Sequence, residues 1–302
     1  MAAQDTANRD ARQTGEPNLT EIIRVAVPER SIRADLRAVS IVWRRELIRF
    51  RSDRLRAITS LVQPVLFLFV LGTGLSGLAS RGMPAGVDFK TFIYPGVLAM
   101  SVLFTAIFSA ASIVWDREFG FLREMLVAPV RRWAIVIGKC LGGATVATFQ
   151  GIIFLALAGV ANVPYDPVLL LTLVGELLLL SFTLTAFGVM MAARIKQIQA
   201  FMALTQMVVL PLFFLSGALY PLNGLPAWLT VLTRVDPLTY IVDPMRHAVF
   251  DHLPVSPLAV QALSPGVTWG GWLVPLGLSL AMVAAMGLAM LGIAIAEFRK
   301  TE

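Results

Sequence analysis

Six stretches of about 20 or more apolar residues recur along this 302-residue chain, near 57–77, 92–114, 134–161, 168–193, 199–221 and 272–296. The hydrocarbon core of a bilayer is about 30 Å thick, and about 20 helical residues cross it, so each stretch is long enough to span. In lipid every backbone N–H and C=O needs a partner within the protein, and for single runs of this length the helix supplies it. The chain therefore reads as an all-α integral membrane protein with six transmembrane helices. Its 57% hydrophobic and 15% charged residues agree, because a soluble domain of this length carries about 25% charge.

Six spans place both ends of the chain on one side of the membrane. Of the 25 basic residues, 21 fall on that side: 12 arginines up to Arg56, four in the 115–133 connection, Lys139, Arg194, Lys196, Arg299 and Lys300. The other side keeps Arg81, Lys90, Arg234 and Arg246. Basic residues accumulate on the cytoplasmic side, so both termini are predicted to be cytoplasmic in a multi-pass plasma (inner) membrane protein. The formal charge of +6 sits beside apolar spans, where it meets anionic headgroups rather than nucleic acid. One cysteine, Cys140, excludes an internal disulfide and a Cys-rich zinc site.

Residues 1–30 mix acids and arginines, lack the apolar core of a secretory signal, and read as a disordered cytoplasmic tail. Residues 31–56 follow as an amphipathic interfacial helix, with Ile32, Leu36, Val39, Val42, Trp43, Leu47 and Phe50 near one face and arginines opposite. A soluble helix packed on a partner is the alternative. Residues 57–302 hold the six spans. Between spans five and six, residues 223–270 are too apolar for a solvated loop and are broken by Pro226, Pro237, Pro244 and Pro254. Outer re-entrant helices fit this pattern.

His247, Asp251 and His252 lie close enough in sequence to supply metal ligands, although an ordinary polar helix end outweighs that reading. Gly138-Lys139-Cys140 looks like the end of a phosphate loop, but Trp133 occupies the first glycine's place and Cys140 replaces the magnesium-binding hydroxyl. No cofactor, metal or catalytic motif is therefore assigned to this chain. Gly138, Gly142, Ala147 and Gly151 allow close helix approach in the third span. Glu176 is an acid inside a span, expected to face a cavity or a polar partner such as Gln150 or Gln206. A protonated or snorkelling structural acid is the alternative.

Between spans two and three runs the dense charged segment Trp115–Arg132. Phe119, Leu122, Met125 and Leu126 form an apolar stripe, flanked by Asp116, Arg117, Glu118, Arg123 and Glu124. Such a helix suits a groove on a soluble protein, where apolar anchors bind and charges set register. A helix that merely closes the loop is the other reading.

At these residues the sequence resembles the membrane subunit of a type-2 ABC exporter, in the branch of daunorubicin-resistance, nodulation-factor and polysaccharide export permeases. The motifs are Arg44-Arg45-Glu46 with Asp53-Arg54, Gln63-Pro64, Arg117-Glu118-Phe119-Gly120 through Met125-Leu126-Val127-Ala128-Pro129, Phe213 through Pro221, and Pro237-Leu238-Thr239-Tyr240. The resemblance covers about residues 33–300. It implies a half-transporter that pairs with a second copy or close relative and with two ABC ATPase subunits, which hold ATP and magnesium. The coupling helix would lie at about 115–130, with Arg117, Glu118, Phe119, Gly120, Phe121, Leu122, Arg123, Glu124 and Met125 meeting the ATPase. Cargo would be amphipathic drugs, lipids or lipid-linked glycans moved outward. Its path would use Phe67, Phe69, Phe104, Phe108, Met207, Phe213 and Phe214, each equally suited to packing or lipid contact, together with Glu176. An ion-coupled secondary transporter would need several intramembrane charges or an inverted repeat, and only Glu176 is present. A membrane-embedded metalloenzyme built on the two histidines is the third class.

Overall fold

The computed structural model describes residues 31–79, 83, 87–120, 131–269 and 271–300. The tail 1–30 and the residues Phe121–Met125 of the charged segment lie outside these. Six of its helices are long and apolar enough to cross a membrane.

Helix α1 (Ile32–Ser52) starts where the Ser31 hydroxyl accepts the Arg33 amide, and it ends at Asp53. Helix α2 (Arg54–Leu66) contains Pro64, widens into a π-helical turn at Phe67–Leu71 and continues through Gly74, so that Ala57–Gly74 is the first span. Helices α3 (Phe89–Ser109) and α4 (Ala111–Glu118) run on as the second span. Helix α5 (Arg132–Leu155) is the third. Helix α6 (Pro167–Arg194) is the fourth, opened by Pro167 and capped by Asp166, whose carboxylate accepts the Val168 and Leu169 amides at 2.7 and 3.2 Å. Helix α7 (Ile198–Leu215) is the fifth. Helices α8 (Ala227–Val235), α9 (Thr239–Asp251) and α10 (Pro257–Leu263) follow. Strands β1 (Thr268–Trp269) and β2 (Trp272–Leu273) then pair antiparallel before α11 (Leu276–Lys300), the sixth span.

Three of the boundaries that differ from the sequence expectation have plain local causes. The third helix stops at Leu155 instead of 161, turning through Ala158–Ala161 into Asn162, which takes a left-handed conformation at φ 56°. The fifth stops at Leu215 because Gly217 has φ 71°. The sixth begins at Leu276, since Trp272 and Leu273 are committed to the hairpin.

Helices α3, α5 and α6 pack on one another as the centre, α11 lies along α6, and α1 lies along α5. Of the second span's apolar window 78% is buried, against 17% for the first span and 22% for the fifth. The first and fifth spans therefore keep most of their surface for lipid or another protein.

Helix α1 sets much of its expected apolar face against the bundle, with Val42 buried and Val39, Trp43, Leu47 and Phe50 half-buried. Its buried positions are Asp35, Val42 and Glu46, while Ile32, Leu36, Ile41 and Ile48 remain exposed. Two acids are drawn inward because basic partners on the bundle await them.

Candidate functional site

The close fit of α1 to α5 begins with two glycines. A Cβ on Gly138 would stand 2.8 Å from Val42 Cβ, and one on Gly142 would stand 2.6 Å from Glu46 Cβ, so α1 rests on bare α5 backbone there. That approach carries Glu46 to Lys139, which projects from the same stretch of α5. Lys139 Nζ donates to Glu46 Oε1 at 2.6 Å, to Asp116 Oδ2 at 2.7 Å and to Ser112 Oγ at 3.1 Å. An ammonium has three donors, and all three are used. Arg45 donates to the other Asp116 oxygen at 3.3 Å, so two acids and two bases balance. Nearby, Trp43 Nε1 donates to Thr145 Oγ1, and the Asp35 carboxylate accepts the Arg131 amide at 3.1 Å and pairs with its guanidinium at 3.4 Å. Lys139, Glu46 and Asp116 are buried. A buried charge is tolerated only when paired and hydrogen-bonded, as each of these is.

This cluster borders the root of the charged segment. Arg117 Nη1 donates to the Ala192 and Ile195 carbonyls at 3.1 and 2.6 Å, satisfying acceptors at the end of α6, and its guanidinium lies 5.6 Å from the Phe298 ring centre. Glu118 Oε2 accepts the Ile198 amide at 2.9 Å, filling an orphan donor at the start of α7. Phe119 is 68% exposed, and Gly120 takes φ 82°. On the far side of the segment, Arg132 Nη1 donates to the Phe298 and Arg299 carbonyls at 3.1 and 3.4 Å. Both roots are thus fastened to the ends of several spans at once. Any force on the segment reaches α1, α6, α7 and α11 together.

Above the cluster is a cavity of about 430 Å³ between α1 and the first, second, third and fifth spans. Phe104 and Phe108 line it, with ring centres 6.3 Å apart and planes within 9°, alongside Trp115, Met202, Gln63 and Asp53. Glu46 and Ser112 line it as well. The remaining path candidates lie elsewhere. Phe67 meets the buried Phe213 edge-on at 5.8 Å, and Phe69, Met207 and Phe214 are exposed on the first and fifth spans. Glu176 is buried outside this cavity, with Oε2 unpartnered among the described residues. The expected partners do not reach it: the Gln150 amide donates to Ser60 Oγ at 2.8 Å, and Gln206 is exposed.

The sequence pattern of the family described as ABC-2 type transporter matches residues 37–250, which is most of the chain and includes the cluster, the root of the charged segment and the cavity. This chain belongs to the ABC-2 type transporter family. It is 28% identical over 209 residues to a protein of Cyanophora paradoxa named as a transport permease, ycf38, covering 68% of this chain and 72% of that one. It is 29% identical over 217 residues to nodulation protein J of Rhizobium leguminosarum bv. trifolii, covering 70% and 80%. A protein of Escherichia coli (strain K12) named as a multidrug ABC transporter permease, YbhR, is 32% identical over 167 residues, 52% of this chain and 43% of that one. The chain is a multi-pass membrane subunit of an ABC transporter.

In this permease the end opposite the arginine-rich base is closed by α9, whose residues Thr239–Arg246 are all buried. The two histidines there face different partners. His247 Nδ1 lies 2.9 Å from Ser264 Oγ, which donates to Asp243 Oδ1 at 2.8 Å, while His252 Nε2 lies 3.7 Å from Asp166. Among the described residues no three His, Cys, Asp or Glu side chains come together as a metal site, so the His247, Asp251, His252 grouping is not assembled. Arg246 is fully buried, donates to the Gly217 and Ala218 carbonyls at 2.7 and 3.3 Å, and stands 4.2 Å from the Phe92 ring centre.

Asp236 precedes α9, accepts the Leu238 amide through Oδ1 at 2.9 Å, and leaves Oδ2 unpartnered among the described residues. Burial raises its carboxyl well above the ordinary 3.8. The folded chain therefore keeps a proton that the unfolded chain releases. The associated stability is complete below pH 3.8 and is lost as pH rises toward the folded value. Asp236→Asn is expected to raise the melting temperature in detergent at pH 8, with the gain shrinking as pH falls toward 4. An equal effect at both pH values would contradict this assignment.

Lys139, Glu46, Asp116 and Arg246 escaped the sequence reading as site residues. Their available signal was a charge at a position due for burial: Lys139 within an apolar run, and Glu46 one turn from Val42.

Proposed function

We propose that this chain is the membrane half of an ATP-driven exporter, powered by a separate ABC ATPase that docks on the segment at about 115–130. The observation that carries this reading is the double anchorage of that segment's roots, at Arg117 and Glu118 on one side and Arg131 and Arg132 on the other, to α1, α6, α7 and α11. A loop with only a connecting role needs no such anchorage. A loop that receives mechanical input does. Phe119 stands exposed at this root, and the sequence pattern of Phe121, Leu122, Arg123, Glu124 and Met125 suits a groove on the ATPase.

Two ATPase subunits would hold ATP and magnesium, and their closure would shift the spans between inward-open and outward-open populations. A second permease copy would cover the exposed faces of the first and fifth spans, where Phe69, Met207 and Phe214 stand. Amphipathic drugs, lipids or lipid-linked glycans would enter beside Phe104 and Phe108. The multidrug permease and nodulation protein names among the relatives support that cargo range. The basic residues around the base favour a cytoplasmic location for it, in the plasma membrane.

Phe119→Ala is the direct test, because an exposed ring adds little to the fold. Expressed with its ATPase, this variant is expected to keep its normal abundance and lose at least about tenfold in cargo-dependent ATP hydrolysis, in line with the loss of one buried aromatic anchor. Normal transport and normal ATPase stimulation would refute docking through this segment. Glu118→Ala is expected to weaken coupling too, with a loss of stability from the uncapped α7.

A further inference from the structure

We infer that Lys139 is the positioning residue through which cargo in the cavity is sensed at the ATPase-docking segment, and that the cargo it senses carries an ammonium group on an aromatic body. The inference rests on the exporter reading above. Its geometric basis is the way the three contacts of Lys139 Nζ divide. Glu46 and Ser112 line the cavity. Asp116 is not among the lining residues and immediately precedes Arg117, the first anchor of the docking segment. One ammonium therefore joins the floor of the cavity to the root of the segment.

The lining chemistry specifies the occupant. Glu46 and Asp53 present carboxylates, and the one basic lining residue, Arg49, lies over the Trp115 ring at 5.3 Å. Phe104, Phe108 and Trp115 supply aromatic walls. An ammonium entering at Glu46 competes with Lys139 for the same carboxylate. Lys139 then leans on Asp116, whose other oxygen Arg45 already holds. Because α5 is pressed against α1 at Gly138 and Gly142, the adjustment is transmitted to α4 and not absorbed between the helices. This is a coupling free energy between two sites, so docking of the ATPase changes cargo affinity by the same factor.

The test uses the permease and its ATPase reconstituted together, with tryptamine, an aromatic ring system bearing an alkylammonium, as the probe. The measured quantity is the ratio of tryptamine-stimulated to unstimulated ATP hydrolysis. Lys139→Met takes the buried ammonium from Glu46 and Asp116, so the triple variant Lys139→Met, Glu46→Gln, Asp116→Asn, which removes all three buried charges and keeps only the half-exposed Arg45, is measured beside it. The wild type is expected to show a ratio of at least about 3. The triple variant is expected to fall to about 1 while the ATPase still co-purifies in the same stoichiometry. A wild-type ratio of 1 overturns the ammonium assignment. A triple variant that keeps its stimulation overturns the role of Lys139, and one that loses the ATPase reduces the cluster to a structural part. Failure of the wild-type permease to bind any ABC ATPase is a different result, which sinks the exporter reading itself.

Discussion

Arg246→Met is expected to destabilise the folded permease by about 3–5 kcal/mol, seen as a large fall in melting temperature and yield in detergent. Arg246 ties α9 to the end of the fifth span through the Gly217 and Ala218 carbonyls, and its guanidinium covers the Phe92 ring of the second span. These elements meet too closely for water to take over. A Cβ on Gly96, in the second span, would come within 2.6 Å of the Ala218 Cα. Burial lowers Arg246 to about 10, which leaves it cationic at neutral pH. The nearby Asp243 favours that charge. Methionine matches the volume and spares the cost of burying a guanidinium, which argues for a small effect. Against this, it leaves two carbonyls without their donor and removes the positive charge that Asp243 favours, at about 1–3 kcal/mol for each unsatisfied buried group. The second effect is larger. Arg246→Lys keeps the charge but cannot fork between two carbonyls, and is expected to cost roughly half as much. A melting temperature within about 1 °C of wild type for Arg246→Met would overturn this account, since losses of this size shift the midpoint by several degrees.

The six spans were legible because length and apolarity alone decide them, with no need to know any contact. Their ends were less so: Asn162 and Gly217 end helices through left-handed backbone that hydropathy does not report. Helix α1 was legible as an amphipathic helix, but not the two acids it buries. Apolar periodicity gives no place to Asp35 and Glu46, which the fold turns inward because Arg131 and Lys139 arrive from a distant part of the chain. The glycines of the third span signalled a close approach without naming the partner, and only tertiary structure assigns Gly138 and Gly142 to α1 and Gly151 to Val102 and Leu177. Arg117 and Glu118 were singled out for an external partner, and both also hold helix ends within the chain.

Gly142→Leu is expected to separate α1 from α5 and to cost at least about 3 kcal/mol, the low end for breaking a buried ion pair. The added Cβ would lie 2.6 Å from Glu46 Cβ and 2.8 Å from Glu46 Cγ. Those atoms are the root of a side chain whose carboxylate is held 2.6 Å from Lys139, so Glu46 cannot swing aside without giving up its ion pair. Overpacking alone costs about 1–3 kcal/mol, and the severed pair then strands Lys139 with one carboxylate instead of two. Gly175 serves as the opposing case on the fourth span. Nothing stands within 4 Å of a Cβ placed there, so Gly175→Ala gains helix propensity of about 0.5–1 kcal/mol and should stabilise. Opposite signs at two glycines of neighbouring spans separate packing from propensity. Differential scanning of both purified variants reads them side by side. A mild effect from Gly142→Leu would mean that α1 yields easily, and the rigid path from Glu46 through Lys139 to Asp116 would then lose its mechanical basis.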